Sequence, residues 1–220
     1  MITGTTRVCG IIADPVEHSM SPVMQNFYGE ATGRDLVYVP LKVAEDQVDA
    51  AVKGAYAMNF LGLNVTVPHK QRVIPCLKEI DKAAEAIGAV NTLVRIEGGF
   101  KGYNTDAAGL YRSMEEKGFQ IQGASAILLG AGGAAKAAAY VLMEHGAESV
   151  HIFNRNEDRA RELAAYMNRL AGREMFYPGG LSSWKELPDR PYLCIQSTSV
   201  GMYPHGGDVL IGDREFYKKI

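Results

Sequence analysis

The stretch from Ala124 to Met143 constrains this chain more than any other. A short apolar run at residues 126–129 has the length and composition of a buried parallel strand. It breaks into Gly130-Ala131-Gly132-Gly133-Ala134-Ala135, after which residues 136–143 read as a helix rich in small side chains. Strand, glycine turn and helix in this order make a G-x-G-x-x-A fingerprint in the context that gives it meaning. Gly130 would permit the tight turn, Gly132 would let a pyrophosphate approach the backbone, and Ala135 would let the helix pack on the strand. The free N–H groups and positive dipole end at the helix start suit a diphosphate. Taken alone, the pattern is a weak signal, whose plain alternative is a glycine-rich turn in a chain that carries 24 glycines.

The following segment sharpens the reading. Residues 149–153 form a second apolar strand that ends at Asn154-Arg155-Asn156. An NAD-binding unit places an acid near this point for the ribose hydroxyls, whereas an NADP-binding unit places an arginine for the 2′-phosphate. Arg155, with Arg159 one helical turn later, is the second arrangement. Glu157 and Asp158 lie between them and oppose it, so NADP is favoured with NAD as the other candidate.

The remaining composition excludes several function classes. Twenty-three basic and 25 acidic residues give a net charge of −2, which offers no basic field for nucleic acid or an anionic membrane. Cys9, Cys76 and Cys194 are scattered singly, with no zinc spacing and no redox pair. No basic-then-apolar leader opens the chain, and no apolar run is long enough to span a bilayer. A cytoplasmic protein with reduced thiols is the expectation, acting as a monomer or homodimer.

Before the fingerprint, apolar strands at residues 8–13, 36–40 and 62–68 alternate with helices expected at 21–33 and 44–56. Short helices are expected at 71–77 and 82–87. A hairpin over 90–96 and 99–103 turns at Glu97-Gly98-Gly99. Ser21 followed by Pro22 reads as a helix cap with proline at the first helical position. This alternation argues for an α/β substrate domain over residues 1–105, followed by a Rossmann-type dinucleotide domain over 106–220, with a cleft between them. A last strand is expected at 192–196, a loop at 202–211, and a surface helix or loop at 213–220.

Four polar clusters sit at strand ends in the first half. They are His18-Ser19-Met20-Ser21, Asn64-Val65-Thr66 with Lys70, Ala89-Val90-Asn91-Thr92, and Asn104-Thr105-Asp106. Ligands of open α/β sheets gather beyond the carboxyl ends of strands, so the clusters can converge. Each also has a plain structural reading as a cap or turn. Four coincidences would be needed to dismiss them all.

In sequence order these motifs, together with Val67-Pro68-His69-Lys70, Gly102-Tyr103-Asn104-Thr105-Asp106, the Gly130–Ala134 run, Asn154-Arg155 and Ser197-Thr198-Ser199-Val200-Gly201-Met202, closely resemble the shikimate dehydrogenase family, including its quinate/shikimate branch. The resemblance covers nearly the whole chain. It implies reversible NADP-linked reduction of 3-dehydroshikimate to shikimate, a step of aromatic amino-acid biosynthesis. It implies that Ser19, Ser21, Thr66, Asn91 and Asp106 hold the substrate's carboxylate and hydroxyls, with Lys70 and Asp106 the catalytic pair. It also implies that Gly130, Ala131, Gly132, Gly133, Ala134, Asn154, Arg155 and Arg159 hold the dinucleotide, with Thr198 and Ser199 near the nicotinamide. Two features depart from the family. Asn156 and two acids follow Asn154-Arg155, and the family's Tyr-containing strand and Gly-x-x-x-Leu-x-x-Gln stretch beyond Met202 are not in this sequence. A C-terminally truncated family member with an open sheet edge is therefore expected.

The chemistry is consistent from below. A carbonyl that accepts hydride needs a positioned proton donor, and a lysine ammonium oriented by a carboxylate supplies one without a metal. His69 reads as structural. The rivals are a quinate/shikimate dehydrogenase that uses NAD or NADP, and a non-catalytic sensor of dinucleotide or shikimate. Intact Lys70 and Asp106 argue against the sensor.

Overall fold

The computed structural model describes residues 2–202 and 206–220. Residues 203–205, inside the expected 202–211 loop, lie outside the described residues. The chain divides into two compact units, Met1–Thr105 and Asp106–Ile220.

The first unit opens with β1 (Arg7–Ala13), α1 (Ser21–Ala31) and β2 (Leu36–Lys42). A 3-10 turn at Glu45–Gln47 leads into α2 (Val48–Ala57), and β3 (Gly62–Val65) follows. A second 3-10 turn at Ile74–Cys76 precedes β4 (Glu79–Ile80) and α3 (Lys82–Ile87). The hairpin of β5 (Thr92–Ile96) and β6 (Gly99–Tyr103) closes the unit. Strand order is β2-β1-β3-β5-β6-β4. β1 is parallel to both β2 and β3, and β4 is parallel to β6, whereas β5 is antiparallel to β3 and β6.

Alternation along β1 sorts its side chains to the two faces of the sheet. Ile12 joins Leu63, Val65, Leu93 and Phe100 in the main core, covered by Val48, Val52 and Ala55 of α2. Those three helical positions are spaced i, i+4, i+7, one face of a helix. Ile11 and Ala13 point the other way, into a smaller cluster with Val16 and Tyr38. α1 buries only Gly29, and Val23, Met24, Phe27 and Tyr28 are exposed.

The second unit follows from α4 (Thr105–Glu116), which begins at the junction. Its strands are β7 (Ser125–Leu129), β8 (Ser149–Phe153), β9 (Phe176–Gly179) and β10 (Leu193–Gln196). α5 (Gly133–Glu144) connects β7 to β8, and α6 (Glu157–Ala171) connects β8 to β9. The sheet is parallel throughout, in the order β10-β7-β8-β9. β7 is buried along its whole length, as its uninterrupted apolar run requires. α6 starts on the Asn156 side chain, which accepts the Asp158 and Arg159 N–H groups, and ends at left-handed Gly172.

Four expectations are corrected. The helix at 71–77 is a run of turns ending in one 3-10 turn, because Pro75 lacks the N–H an α-helix needs there and its ring crowds the carbonyl four residues back. Ser21 is not a cap: α1 is preceded by Met20 with no side-chain cap, and Ser21 is the first helical residue. The strand at 62–68 ends at Val65, where β5 stops pairing with it. The segment at 213–220 is not a surface element alone, since Phe216 is fully buried edge-on against Trp184.

Candidate functional site

Topology brings the first unit's polar clusters to one end of its sheet. β1, β3 and β6 finish at that end, and antiparallel β5 begins there. The residues after β1 (Ser19, Ser21), after β3 (Thr66, Lys70), before β5 (Asn91) and after β6 (Asn104, Thr105) therefore share an edge. Ligand sites of α/β sheets form where such loops meet.

Hydrogen bonds tie Asn91 and Thr105 into one line with Tyr38, Asn64 and Thr92. The Tyr38 hydroxyl donates to Asn64 Oδ1 at 2.7 Å. Asn64 Nδ2 donates to the Asn91 carbonyl at 3.3 Å and to Thr92 Oγ1 at 3.2 Å. Thr92 Oγ1 donates to Asn91 Oδ1 at 3.0 Å, and that oxygen also accepts the Thr105 N–H at 3.0 Å. Asn91 Nδ2 reaches Thr105 Oγ1 at 3.0 Å. Burial pushes the Tyr38 hydroxyl up to about 12. Ser19 Oγ accepts the Ser21 N–H at 3.3 Å. Sequence reasoning passed over Tyr38, because an apolar strand gives no signal of the partners that register supplies.

Thr66 and Lys70 flank a fixed loop. The Thr66 N–H donates to the Ile12 carbonyl at 3.1 Å, and the Val90 N–H donates to the Lys70 carbonyl at 2.8 Å. Between them His69 is wholly buried, its Nε2 at 2.8 Å from the Val43 carbonyl. A carbonyl can only accept, so Nε2 carries the proton. Lys70 and Asp106 are each half-buried, Asp106 in the first turn of α4.

In the second unit the carboxyl ends of β7, β8 and β10 carry the remaining candidates. Gly130 has φ +111°, and a Cβ there would lie 2.7 Å from Ser197 Oγ. Gly132 and Gly133 face open space, with nothing within 4 Å of an added Cβ. α5 begins on Gly132 with no side-chain cap, so its first N–H groups stay available to an anion. Ala134 is exposed and Ala131 half-buried, whereas Ala135 is buried against the sheet. Asn154 Nδ2 donates to the Asn156 carbonyl at 2.7 Å, fixing the bend after β8. Arg155 and Arg159 are exposed and form no ion pair among the described residues. The two acids between them are drawn aside by Arg161, which pairs with Glu157 at 2.8 Å and Asp158 at 2.7 Å. After β10, Thr198 donates its N–H and hydroxyl to Gln196 Oε1, and Ser197 Oγ donates to the Leu129 carbonyl. Ser199 accepts the Met202 N–H on its carbonyl and is exposed. An uncapped glycine helix start beside unpaired guanidinium groups fits a dinucleotide with an extra phosphate.

No group of three or more metal-ligating side chains occurs among the described residues. No described helix is long and apolar enough to cross a membrane. β10 is paired on one side only among the described residues, and a largely apolar cavity of about 390 Å³ lies along it, lined by Leu110, Met114, Phe119, Tyr192 and Cys194.

Comparison with known proteins covers both units. A model of the shikimate dehydrogenase substrate binding domain matches residues 11–93, and a shikimate / quinate 5-dehydrogenase model matches residues 113–175. The shikimate dehydrogenase (NADP(+)) of Methanothermobacter thermautotrophicus is 43% identical over 208 residues, spanning 94% of this chain and 73% of that protein. A crystal structure of a shikimate dehydrogenase in complex with NADP+ superposes with a TM-score of 0.84 at 36% identity, over 93% of this chain and 70% of that one. The shikimate 5-dehydrogenase of Listeria monocytogenes, in complex with shikimate and NAD, gives 0.88 at 32% identity over 98% and 76%.

Proposed function

The chain belongs to the shikimate dehydrogenase family, and from that premise we propose that it catalyses the reversible NADP-dependent reduction of 3-dehydroshikimate to shikimate. The observation that carries the reading is the gathering of Ser19, Ser21, Thr66, Lys70 and Asn91 at one sheet end of the first unit, in a chain whose second unit has an uncapped glycine helix start with Arg155 nearby. The N-terminal unit takes the substrate and the C-terminal unit the dinucleotide.

Each residue has a definite task. Ser19 and Ser21 donate hydroxyl hydrogen bonds to the substrate carboxylate, and charge on the acceptor strengthens them. Thr66, Asn91 and Asp106 hold the ring hydroxyls. The N–H groups over residues 130–134 and the start of α5 bind the diphosphate, with Asn154 shaping the bend beside it. Arg155 and, more weakly, Arg159 read the 2′-phosphate. Thr198 and Ser199 border the nicotinamide. The bound nicotinamide supplies the hydride. Lys70 delivers a proton to the carbonyl oxygen as that oxygen becomes a hydroxyl, and Asp106 serves as its partner while orienting the neighbouring hydroxyl. In the reverse direction Lys70 takes the same proton back.

The test is oxidation of NADPH on addition of 3-dehydroshikimate, with shikimate identified chromatographically as the product. Absence of shikimate at high protein concentration would overturn the assignment. The quinate-specific reading predicts no such product but turnover of quinate.

A further inference from the structure

Tyr38 stands in β2, separated from Asn91 by β1 and β3, and no part of the function just described uses it. Its ring packs with Ile11, Ala13 and Val16 in a small apolar cluster. A phenylalanine would fill that space equally well, so packing alone does not explain the hydroxyl. The hydroxyl is buried with the ring and must be satisfied within the protein. It donates to Asn64 Oδ1 at 2.7 Å.

Each bond fixes the polarity of the next. With Oδ1 turned to the Tyr38 donor, Asn64 can present only its amide N–H groups to Asn91 and Thr92. Thr92 receives one of these on its oxygen and passes its own proton to Asn91 Oδ1 at 3.0 Å. Asn91 Oδ1 is thereby held among donors, and Asn91 Nδ2 is turned to Thr105 Oγ1. A flipped Asn64 would set its Oδ1 against the Asn91 carbonyl, which can only accept, so in the orientation that is left Oδ1 takes its donor from the Tyr38 hydroxyl. The backbone of Tyr38 is pinned as well. Its N–H donates to Asn26 Oδ1 at 2.8 Å, and Asn26 Nδ2 donates to the Tyr38 and Pro22 carbonyls at 2.8 Å each. The first turn of α1, which carries Ser21, is thus tied to this one residue of β2.

We infer that Tyr38 is a positioning residue for substrate, whose hydroxyl holds the Asn64 side chain in place and, through Asn64 and Thr92, supports Asn91 at the hydroxyl end. The inference rests on the substrate role proposed above for Asn91. The burial that makes the Tyr38 hydroxyl hard to ionise keeps it a donor across the working pH range.

The experiment compares Tyr38→Phe with wild type in the whole chain, measuring KM for shikimate, KM for NADP, kcat and Tm. Loss of one hydroxyl that leaves Asn64 Oδ1 unsatisfied is expected to raise KM for shikimate about tenfold, with KM for NADP and kcat within about twofold. Thr92→Val, two links further on, is expected to show the same split. An unchanged KM for shikimate in either variant, or equal rises for shikimate and NADP, overturns the inference and leaves Tyr38 a core residue. Wild-type protein that neither binds nor turns over shikimate sinks the proposed function, and this inference with it. Active wild type with an unaltered Tyr38→Phe sinks this inference alone.

Discussion

Two glycines that differ in function, though only two residues apart in sequence, give the sharpest test of the dinucleotide site. At Gly130 the backbone itself demands glycine. With φ at +111°, an added methyl group would meet Ser197 Oγ at 2.7 Å and Thr198 Cγ2 at 3.0 Å. Strain of this kind costs about 1–3 kcal/mol. It would also push on the Ser197 bond to the Leu129 carbonyl, which joins β7 to the loop after β10. Gly130→Ala is therefore expected to lower Tm by several degrees, at about 2–4 °C per kcal/mol for a chain of this size. At Gly132 the backbone makes no such demand. Its φ of −94° suits any residue, and an added methyl group meets nothing within 4 Å. Gly132→Ala should leave Tm unchanged or raise it slightly, since alanine costs less unfolded-chain entropy. What it should remove is the close approach of a diphosphate to the α5 start. Loss of one charge-assisted hydrogen bond is about 1.5–3 kcal/mol, a rise in Kd for NADP of about 10- to 100-fold. Thermal unfolding and calorimetric titration with NADP separate the two effects. If Gly132→Ala kept wild-type affinity, the open space at this turn would not be where the diphosphate lies.

Three further outcomes follow from named contacts. Arg155→Ala should weaken NADP by at least tenfold while changing NAD little, because the lost contact is to the 2′-phosphate; equal losses in titrations of both cofactors would contradict it, and Arg159→Ala should show the same bias more weakly. Lys70→Ala should cut kcat for shikimate oxidation roughly a hundredfold with a modest change in KM; a change confined to KM would make Lys70 a binding residue. Phe216→Ala should destabilise by about 3–5 kcal/mol in thermal or denaturant unfolding, because the ring is fully buried against Trp184. A loss below 1 kcal/mol would mean that the last turn is dispensable to the core.

What could be read from the sequence was local. The strand, glycine turn and helix over residues 125–144 announce themselves through a buried apolar run that breaks at a glycine only the backbone can use. The β5–β6 hairpin was legible in the same way, from two apolar runs about Gly98 at φ +78°. What stayed hidden depends on partners far along the chain. β4 is two residues long and exists only through its pairing with β6. β9 contains Pro178, which a strand tolerates here because it lies at the sheet edge. Phe216 looked like part of a surface turn because nothing nearby in sequence foretells Trp184 above it. The candidate residues themselves were visible as polar clusters at strand ends. The hydrogen bonds that orient them were not, since Tyr38, Asn64 and Asn91 meet only once β1 has set β2 and β3 on either side of it.

The most direct test of the whole account is a comparison of kcat/KM for shikimate and quinate, each with NADP and with NAD, followed by the absorbance of the reduced nicotinamide. The account predicts the highest value for shikimate with NADP, a lower one for shikimate with NAD, and a large penalty for quinate, whose extra hydroxyl would crowd the carboxylate end at Ser19 and Ser21. Equal values for the two acids, or a preference for NAD, would contradict it.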